Sequence, residues 1–139
     1  MQLTVTKTQQ TCGFGPHLTL DLSDCPMEPL INAEALYDLL NNLPEVMDMS
    51  KMTLPHVVKW LDDGAKIPGF SGFVMIAESH ISFHTFPERN YVFLDLFSCK
   101  PFDTDKATEF ILHFFKPKKV EKNVMIRGKH FERNGGTLY

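Results

Sequence analysis

The sequence predicts an α+β fold, a two-layer α/β sandwich in which a mostly antiparallel sheet carries two helices on one face. Six segments have the alternating or β-rich pattern of strands, whereas two have apolar residues at helical spacing. Both helical segments are apolar on one side only, so each is expected to pack against a single surface. The other sheet face also needs cover, which pairing with a second copy of the chain would supply.

The strands are predicted from short apolar or alternating runs bounded by turn residues. The first run alternates from His17 to Asp21, and Pro55 favours an edge position for the second. Residues 78–80 alone separate the third strand from the fourth, which is hairpin length. The predicted strands are residues 17–21, 51–60, 73–77, 81–85, 91–97 and 120–126.

Capping residues and prolines delimit the two helices. Asn32 can cap a helix over residues 33–43, which Pro44 is expected to end. Asp103 or Thr104 can cap a second helix that continues to residue 115. Two segments that contain proline are predicted as loops, residues 23–32 and 61–70.

Length and composition indicate one ordinary globular domain over residues 1–139. The net charge of -3 gives no indication of nucleic acid as a partner. No apolar run approaches the roughly 18 residues of a membrane helix, so no membrane partner is expected. The N-terminus lacks a signal-peptide pattern, which makes the cytoplasm the expected location. Cys12, Cys25 and Cys99 are odd in number and widely spaced, unlike a disulfide framework or a zinc site.

Reactive side chains are concentrated between Glu78 and Glu88. Strand alternation puts His80, Ser82 and His84 on one face of the fourth strand, and Ser79 would begin the strand beside them. Because polar side chains rarely cluster at a strand junction without a functional role, this cluster is the candidate site.

Taken alone, these residues support three interpretations. Ser79, His84 and Glu88 are the residue types of a serine hydrolase, but the G-x-S-x-G elbow is absent and the chain is short for that fold. His80, His84 and Glu88 are metal-ligand types, yet no matching third histidine or cysteine stands out, so no metal is expected. The third interpretation is a polar strand that faces solvent.

A family resemblance changes the relative weight of these three interpretations. Residues 77–88, Ala-Glu-Ser-His-Ile-Ser-Phe-His-Thr-Phe-Pro-Glu, resemble the processing-site motif of the prokaryotic S-adenosylmethionine decarboxylases. Residues 91–99, which end in Asp-Leu-Phe-Ser-Cys, resemble a second block of that family, and residues 69–72 and 15–18 resemble two more. A string E-S-H-x-x-x-H-T-[WF]-P-E with a cysteine at this distance is highly specific.

The resemblance implies that the chain cuts itself between Glu78 and Ser79, giving residues 1–78 and 79–139. Ser79 Oγ would attack the carbonyl carbon of Glu78 to form an ester, with Ser71 polarising that carbonyl. His84 resembles the base that helps to remove the Ser79 α-proton, so that the ester eliminates. The dehydroalanine then hydrolyses to ammonia and a covalent pyruvoyl group, which is the implied cofactor.

In this family the pyruvoyl ketone forms a Schiff base with the substrate amine and withdraws electrons as carbon dioxide leaves. Cys99 resembles the acid that protonates the resulting carbanion. Cys12 and Cys25 are expected only to pack. For His80, contact with the pyruvoyl group and packing beside it stay equally open.

The resemblance also indicates the substrate. Glu88 resembles the residue that accepts hydrogen bonds from the ribose hydroxyls, and Phe86 and Trp60 resemble the two aromatic residues that stack on adenine. Trp60 can equally be a core residue or a lid anchor, because residues 61–67 look like an insertion. The leading substrate is S-adenosylmethionine, whose product serves spermidine synthesis. Arginine or ornithine is the alternative, with Asp62 and Asp63, or Glu88, as the acidic partner of the distal cation.

Two expectations concern partners. The resemblance implies a homodimer of processed units, with the active site between chains. A catalytically silent copy that partners an active one is a further alternative, but the presence of Ser79, His84 and Cys99 argues against it.

Overall fold

Six antiparallel strands form one sheet, covered on one face by three helices, in the computed structural model, which describes residues 13–132. The expectations for Cys12 and for the N-terminal segment lie outside these residues. The strands are β1 (Gly15–Ser23), β2 (His56–Trp60), β3 (Gly69–Ile76), β4 (Ser79–Phe86), β5 (Tyr91–Ser98) and β6 (Lys119–Arg127). The helices are α1 (Met27–Leu30), α2 (Ala33–Val46) and α3 (Thr104–Phe115).

The sheet has the strand order β2-β3-β4-β5-β1-β6, and each neighbouring pair is antiparallel. The first strand of the chain therefore lies between the fifth and the sixth. β2 is at an edge, as Pro55 predicted. The predicted α+β sandwich is confirmed, with a third, single-turn helix in addition to the two expected.

Alternation along the strands divides the sheet into a covered face and an open face. The covered face and the helices share one apolar core, in which Leu20 of β1, Leu40 of α2 and Phe115 of α3 are fully buried. Each such side chain contributes about 2 kcal/mol to folding through removal of apolar surface from water. On the open face, Phe73, Phe93 and other large side chains remain exposed. Among the described residues, no helix is long and apolar enough to span a membrane.

Two helix predictions were wrong because proline is tolerated near helix ends. Residues 27–30 form a helical turn rather than a loop, since Pro29 lies in the first turn, where backbone N–H groups lack helical partners anyway. Pro44 does not end α2 but lies inside its last turn, buried against the core. The amide of Met49 bonds to the Pro44 carbonyl at 2.8 Å and closes the helix end.

The start of β3 was also predicted wrongly. The predicted loop over residues 61–70 includes residues 69 and 70, and the strand is predicted only from residue 73, yet the strand begins at Gly69. A Cβ on Gly72 would lie 2.7 Å from the ring of Phe83, and one on Gly69 would lie 2.5 Å from the carbonyl oxygen of Thr85. These glycines therefore allow β4 to approach closely.

Candidate active site

A two-residue turn, Ala77-Glu78, joins β3 to β4, and Ser79 is already the first residue of β4. Ser79 pairs with Ile76 on β3 and with Ser98 on β5. By alternation it shares the side of the buried Ile81, not the side of His80. The predicted nucleophile thus lies at the end of the sheet, next to the row of polar side chains but not within it.

Glu78 is held by hydrogen bonds from two other parts of the chain. Its carbonyl oxygen accepts a hydrogen bond from the backbone N–H of Cys99 at 2.8 Å. Its carboxylate accepts one from the backbone N–H of Ser50 at 3.2 Å, and the Ala77 amide donates to the Ser50 carbonyl at 2.8 Å. The carbonyl that Ser79 is predicted to attack is therefore polarised and held in place.

The two described cysteines differ in their surroundings. Cys99 is buried directly after β5, and its backbone bond keeps it beside the Glu78–Ser79 peptide. Cys25 is buried near the opposite end of β5, where its amide donates to the Asn90 carbonyl. Burial, assisted by the charge of Asp24, raises the pKa of the Cys25 thiol to about 11. Cys25 is thus a neutral thiol that packs, as predicted.

A polar cluster around Asp95 lies on the open face near the turn. One carboxylate oxygen lies 2.8 Å from His17 Nε2 and 3.4 Å from His80 Nε2, and the other accepts a hydrogen bond from the Ser82 hydroxyl. Burial would raise the pKa of Asp95, but the bonds from Ser82 and His17 and the charges of both histidines outweigh it, so the pKa is lowered. The sequence did not indicate His17 and Asp95 as partners, although both stand in the family blocks.

Ser71 and His84 form a second centre farther along the sheet. They face each other across β3 and β4, with Ser71 Oγ 2.7 Å from His84 Nδ1. His84 is five residues beyond Ser79 on an extended strand, a separation of about 16 Å. Within one chain, therefore, neither Ser71 nor His84 reaches the Glu78–Ser79 peptide.

A cavity of about 310 Å³ lies at the same end of the sheet, lined by Thr85 and Phe86 that follow His84 in β4. Trp60 from the end of β2 and Phe86 from the end of β4 both line it, together with Glu88. One Glu88 oxygen accepts hydrogen bonds from the backbone amides of Lys66 and Ile67, at 3.0 and 3.5 Å. The loop that was expected to be an insertion thus orients Glu88, and it also brings two acidic side chains to the cavity lining, Asp62 and Asp63.

The predicted site residues consequently fall into two groups. We call the first the turn end, which holds Glu78, Ser79, His80 and Cys99. We call the second the cavity end, which holds Ser71, His84, Phe86, Glu88 and Trp60. A metal site of His80, His84 and Glu88 is not formed, because these residues are divided between the two ends. Within residues 13–132, no three His, Cys, Asp or Glu side chains are grouped to hold a metal ion. A Ser79–His84–Glu88 triad is likewise not assembled in one chain.

The fold defines the structural class, the small two-layer α/β sandwiches, here with serine and histidine side chains along the open face of the sheet. The family model for S-adenosylmethionine decarboxylase matches residues 16–128. The chain therefore belongs to the S-adenosylmethionine decarboxylase family, which confirms the resemblance seen in the sequence.

Individual relatives agree with this assignment. An S-adenosylmethionine decarboxylase proenzyme of Clostridium botulinum (strain Langeland) is 36% identical over 116 residues, which cover 83% of this chain and 95% of that protein. A proenzyme of the same name from Persephonella marina is 32% identical and covers 83% of each chain. The crystal structure of the adenosylmethionine decarboxylase from Aquifex aeolicus superimposes with a TM-score of 0.72 at 26% identity, covering 90% of this chain and 98% of that one.

Proposed function

We propose that this chain is a proenzyme that cuts itself between Glu78 and Ser79, and that the product decarboxylates S-adenosylmethionine in the cytoplasm. The reaction releases carbon dioxide and gives decarboxylated S-adenosylmethionine, an aminopropyl donor for spermidine synthesis. One observation carries the proposal: the Glu78 carbonyl is bound by the Cys99 amide directly beside a serine that opens a strand.

The cleavage needs only the chain's own groups and water. Attack by Ser79 Oγ forms an ester to the Glu78 carbonyl carbon, and the former amide nitrogen becomes a free amine. The Cys99 N–H stabilises the oxyanion that develops on the Glu78 carbonyl oxygen. A base then removes the Ser79 α-proton, and the main-chain carboxylate of Glu78 leaves as the new C-terminus of the 1–78 fragment. Hydrolysis of the resulting dehydroalanine releases ammonia.

The surroundings of Ser79 fit the pyruvoyl group that this chemistry produces. The group supplies an electrophilic ketone that binds the substrate amine and draws electrons from the bond to the departing carboxylate. Cys99 is held at this position by its bond to Glu78 and is the proton donor in the proposal. His80, held by Asp95, lies next in the chain and borders the substrate's amino-acid end.

A second copy of the chain completes the site in this proposal. The base His84 and its partner Ser71 are about 16 Å along the strand from the peptide they are expected to act on. The open sheet face also carries exposed apolar side chains, among them Phe73, Met75 and Phe93. An uncovered face of this kind is typical of an interface.

Two-fold symmetry supports a specific arrangement of that dimer. If two open faces stack with their β4 strands antiparallel, the turn end of each copy faces the cavity end of the other. Each dimer then has two complete sites, in which Ser79 and Cys99 come from one protomer and His84, Ser71 and Glu88 from its partner. The wide separation of the two ends within one chain is what this arrangement explains.

The cavity end suits the nucleoside part of the substrate. Trp60 and Phe86 provide aromatic surfaces for an adenine ring. The Lys66 and Ile67 amides occupy one Glu88 oxygen, so the other can accept hydrogen bonds from ribose hydroxyls. Asp62 and Asp63 line the same cavity, which keeps arginine and ornithine as candidates to be tested.

The test combines mass spectrometry with a substrate comparison. Intact mass of the purified protein should give fragments 1–78 and 79–139, the second with a pyruvoyl N-terminus. Released carbon dioxide should then be measured with S-adenosylmethionine, arginine and ornithine offered separately, with turnover expected for the first. An unbroken chain that is active with Ser79 still present would contradict the proposal, and turnover of arginine or ornithine alone would overturn the substrate.

A further inference from the structure

Lys100, the residue after Cys99, pairs with the Glu78 carboxylate oxygen that Ser50 does not bind. Its ammonium nitrogen lies 3.7 Å from the second carboxylate oxygen of Glu78 and donates a hydrogen bond to the Asp48 carbonyl at 2.8 Å. The Glu78 side chain is only 15% exposed, whereas that of Lys100 is 43% exposed. One lysine therefore links the end of β5 to the turn and to the segment that follows α2.

These contacts cross the proposed cut. Glu78 and Asp48 belong to the fragment 1–78, and Lys100 belongs to the fragment 79–139. Cleavage turns the Glu78 carbonyl into a second carboxylate, so the new C-terminus has two negative charges close together. The Lys100 ammonium lies where it offsets them, and the Cys99 N–H lies where it bonds the new carboxylate.

We propose that Lys100 is a positioning residue for self-cleavage, which holds Glu78 for attack by Ser79 and keeps the cut end docked afterwards. The inference rests on the proposed self-cleavage. Lys100 acts through Glu78 and takes no part in the decarboxylation itself. Its loss therefore slows the cut and loosens the C-terminus of the 1–78 fragment.

The first test follows the cut in freshly synthesised Lys100→Met, Lys100→Arg and wild-type chains by denaturing gel. Lys100→Met should be slower by roughly fivefold, the upper value for a partly exposed ion pair. Lys100→Arg should restore the rate to within about twofold, because it keeps the charge. Lys51→Met is the matched control, since Lys51 is nearby but binds the Asn41 side chain instead, and it should cut at the wild-type rate.

Salt gives a test that needs no variant. Because Lys100 is partly exposed, about 1 M NaCl should screen its attraction to Glu78 and slow the wild-type cut, while the Lys100→Met rate should change little. In the processed proteins, carboxypeptidase should trim the 1–78 fragment faster in Lys100→Met than in wild type. A wild-type chain that never cuts would remove the proposed function. If the wild-type chain does cut, but Lys100→Met cuts equally fast and salt has no effect, only the inference about Lys100 is wrong.

Discussion

The backbone amide of Cys99 lies 2.8 Å from the carbonyl oxygen of Glu78, while the thiol of the same residue is buried beside the turn. Two groups of one residue can thus serve two stages of the proposed reaction. The amide acts on the Glu78 carbonyl during the cut, and the thiol acts on the substrate afterwards. Since substitution of the side chain leaves the amide in place, the two stages are separable by mutation.

Cys99→Ala should therefore still cut at close to the wild-type rate but lose turnover. The loss should be about 100-fold or more, the typical contribution of a positioned general acid. Cut fraction is measured by intact mass and turnover by carbon dioxide release. Cys25→Ala is the control and should keep full activity, because Cys25 is a buried neutral thiol far from the turn. Full turnover in Cys99→Ala would exclude the thiol as proton donor.

Mixed dimers should reveal whether the site is shared between chains. Ser79→Ala and His84→Ala are each expected to stay uncut when expressed alone. In a mixed dimer, Ser79 of the His84→Ala chain faces an intact His84 from its Ser79→Ala partner. Co-expression should therefore yield cut His84→Ala chains, identified by their mass, and no cut Ser79→Ala chains. If neither chain is cut in the mixture, the shared site is wrong.

The pH dependence of stability should report the Asp95 cluster. The pKa of Asp95 is below its ordinary value of 3.8 in the folded chain, because the bonds from Ser82 and His17 outweigh burial. Its stabilisation is therefore fully present above about pH 4 and is lost as the pH falls through the lowered pKa. In a Ser79→Ala background, Asp95→Asn should lower the free energy of unfolding by about 2 kcal/mol at pH 7. Urea unfolding at pH 7 and pH 3 should show this gap narrowing, whereas a constant gap would contradict the assignment.

Thr85 joins the sheet to α1 through its hydroxyl. The hydroxyl accepts from the Phe70 amide at 2.9 Å and donates to the Leu30 carbonyl at 3.0 Å, and the side chain is fully buried. Thr85→Val keeps the shape but leaves two buried polar groups unsatisfied, so it should cost about 2 kcal/mol. Thr85→Ser keeps the hydroxyl and should cost about 1 kcal/mol for the lost methyl group. If urea unfolding showed Thr85→Val to be more stable than Thr85→Ser, the prediction would be wrong.

Local pattern predicted much of the fold because burial on one face imposes alternation. β1, β4 and β5 were found within two residues of their predicted ends for this reason. The start of β3 was missed, since the need for Gly72 comes from the ring of Phe83 on another strand. That contact depends on strand register, which single-sequence patterns do not contain.

The sequence indicated only part of how the proposed site residues are arranged. Alternation correctly put His80 and His84 on one face of β4. It did not show that His80 belongs to the turn end and His84 to the cavity end. The contact between His17 and Asp95 joins residues 78 positions apart in the chain. Only the insertion of β1 beside β5 brings them together, and no local signal encodes that step.

The position of β1 has a consequence for how the molecule would survive the proposed cleavage. β1 would belong to the 1–78 fragment, yet both its neighbours, β5 and β6, would belong to the 79–139 fragment. Once cut, the two pieces are interlocked, and they separate only if the sheet is dismantled. After unfolding, the two separated fragments must meet in solution to refold, whereas the intact precursor refolds as one chain. A processed sample that is heated and cooled while dilute should stay unfolded, and an uncut Ser79→Ala chain should recover.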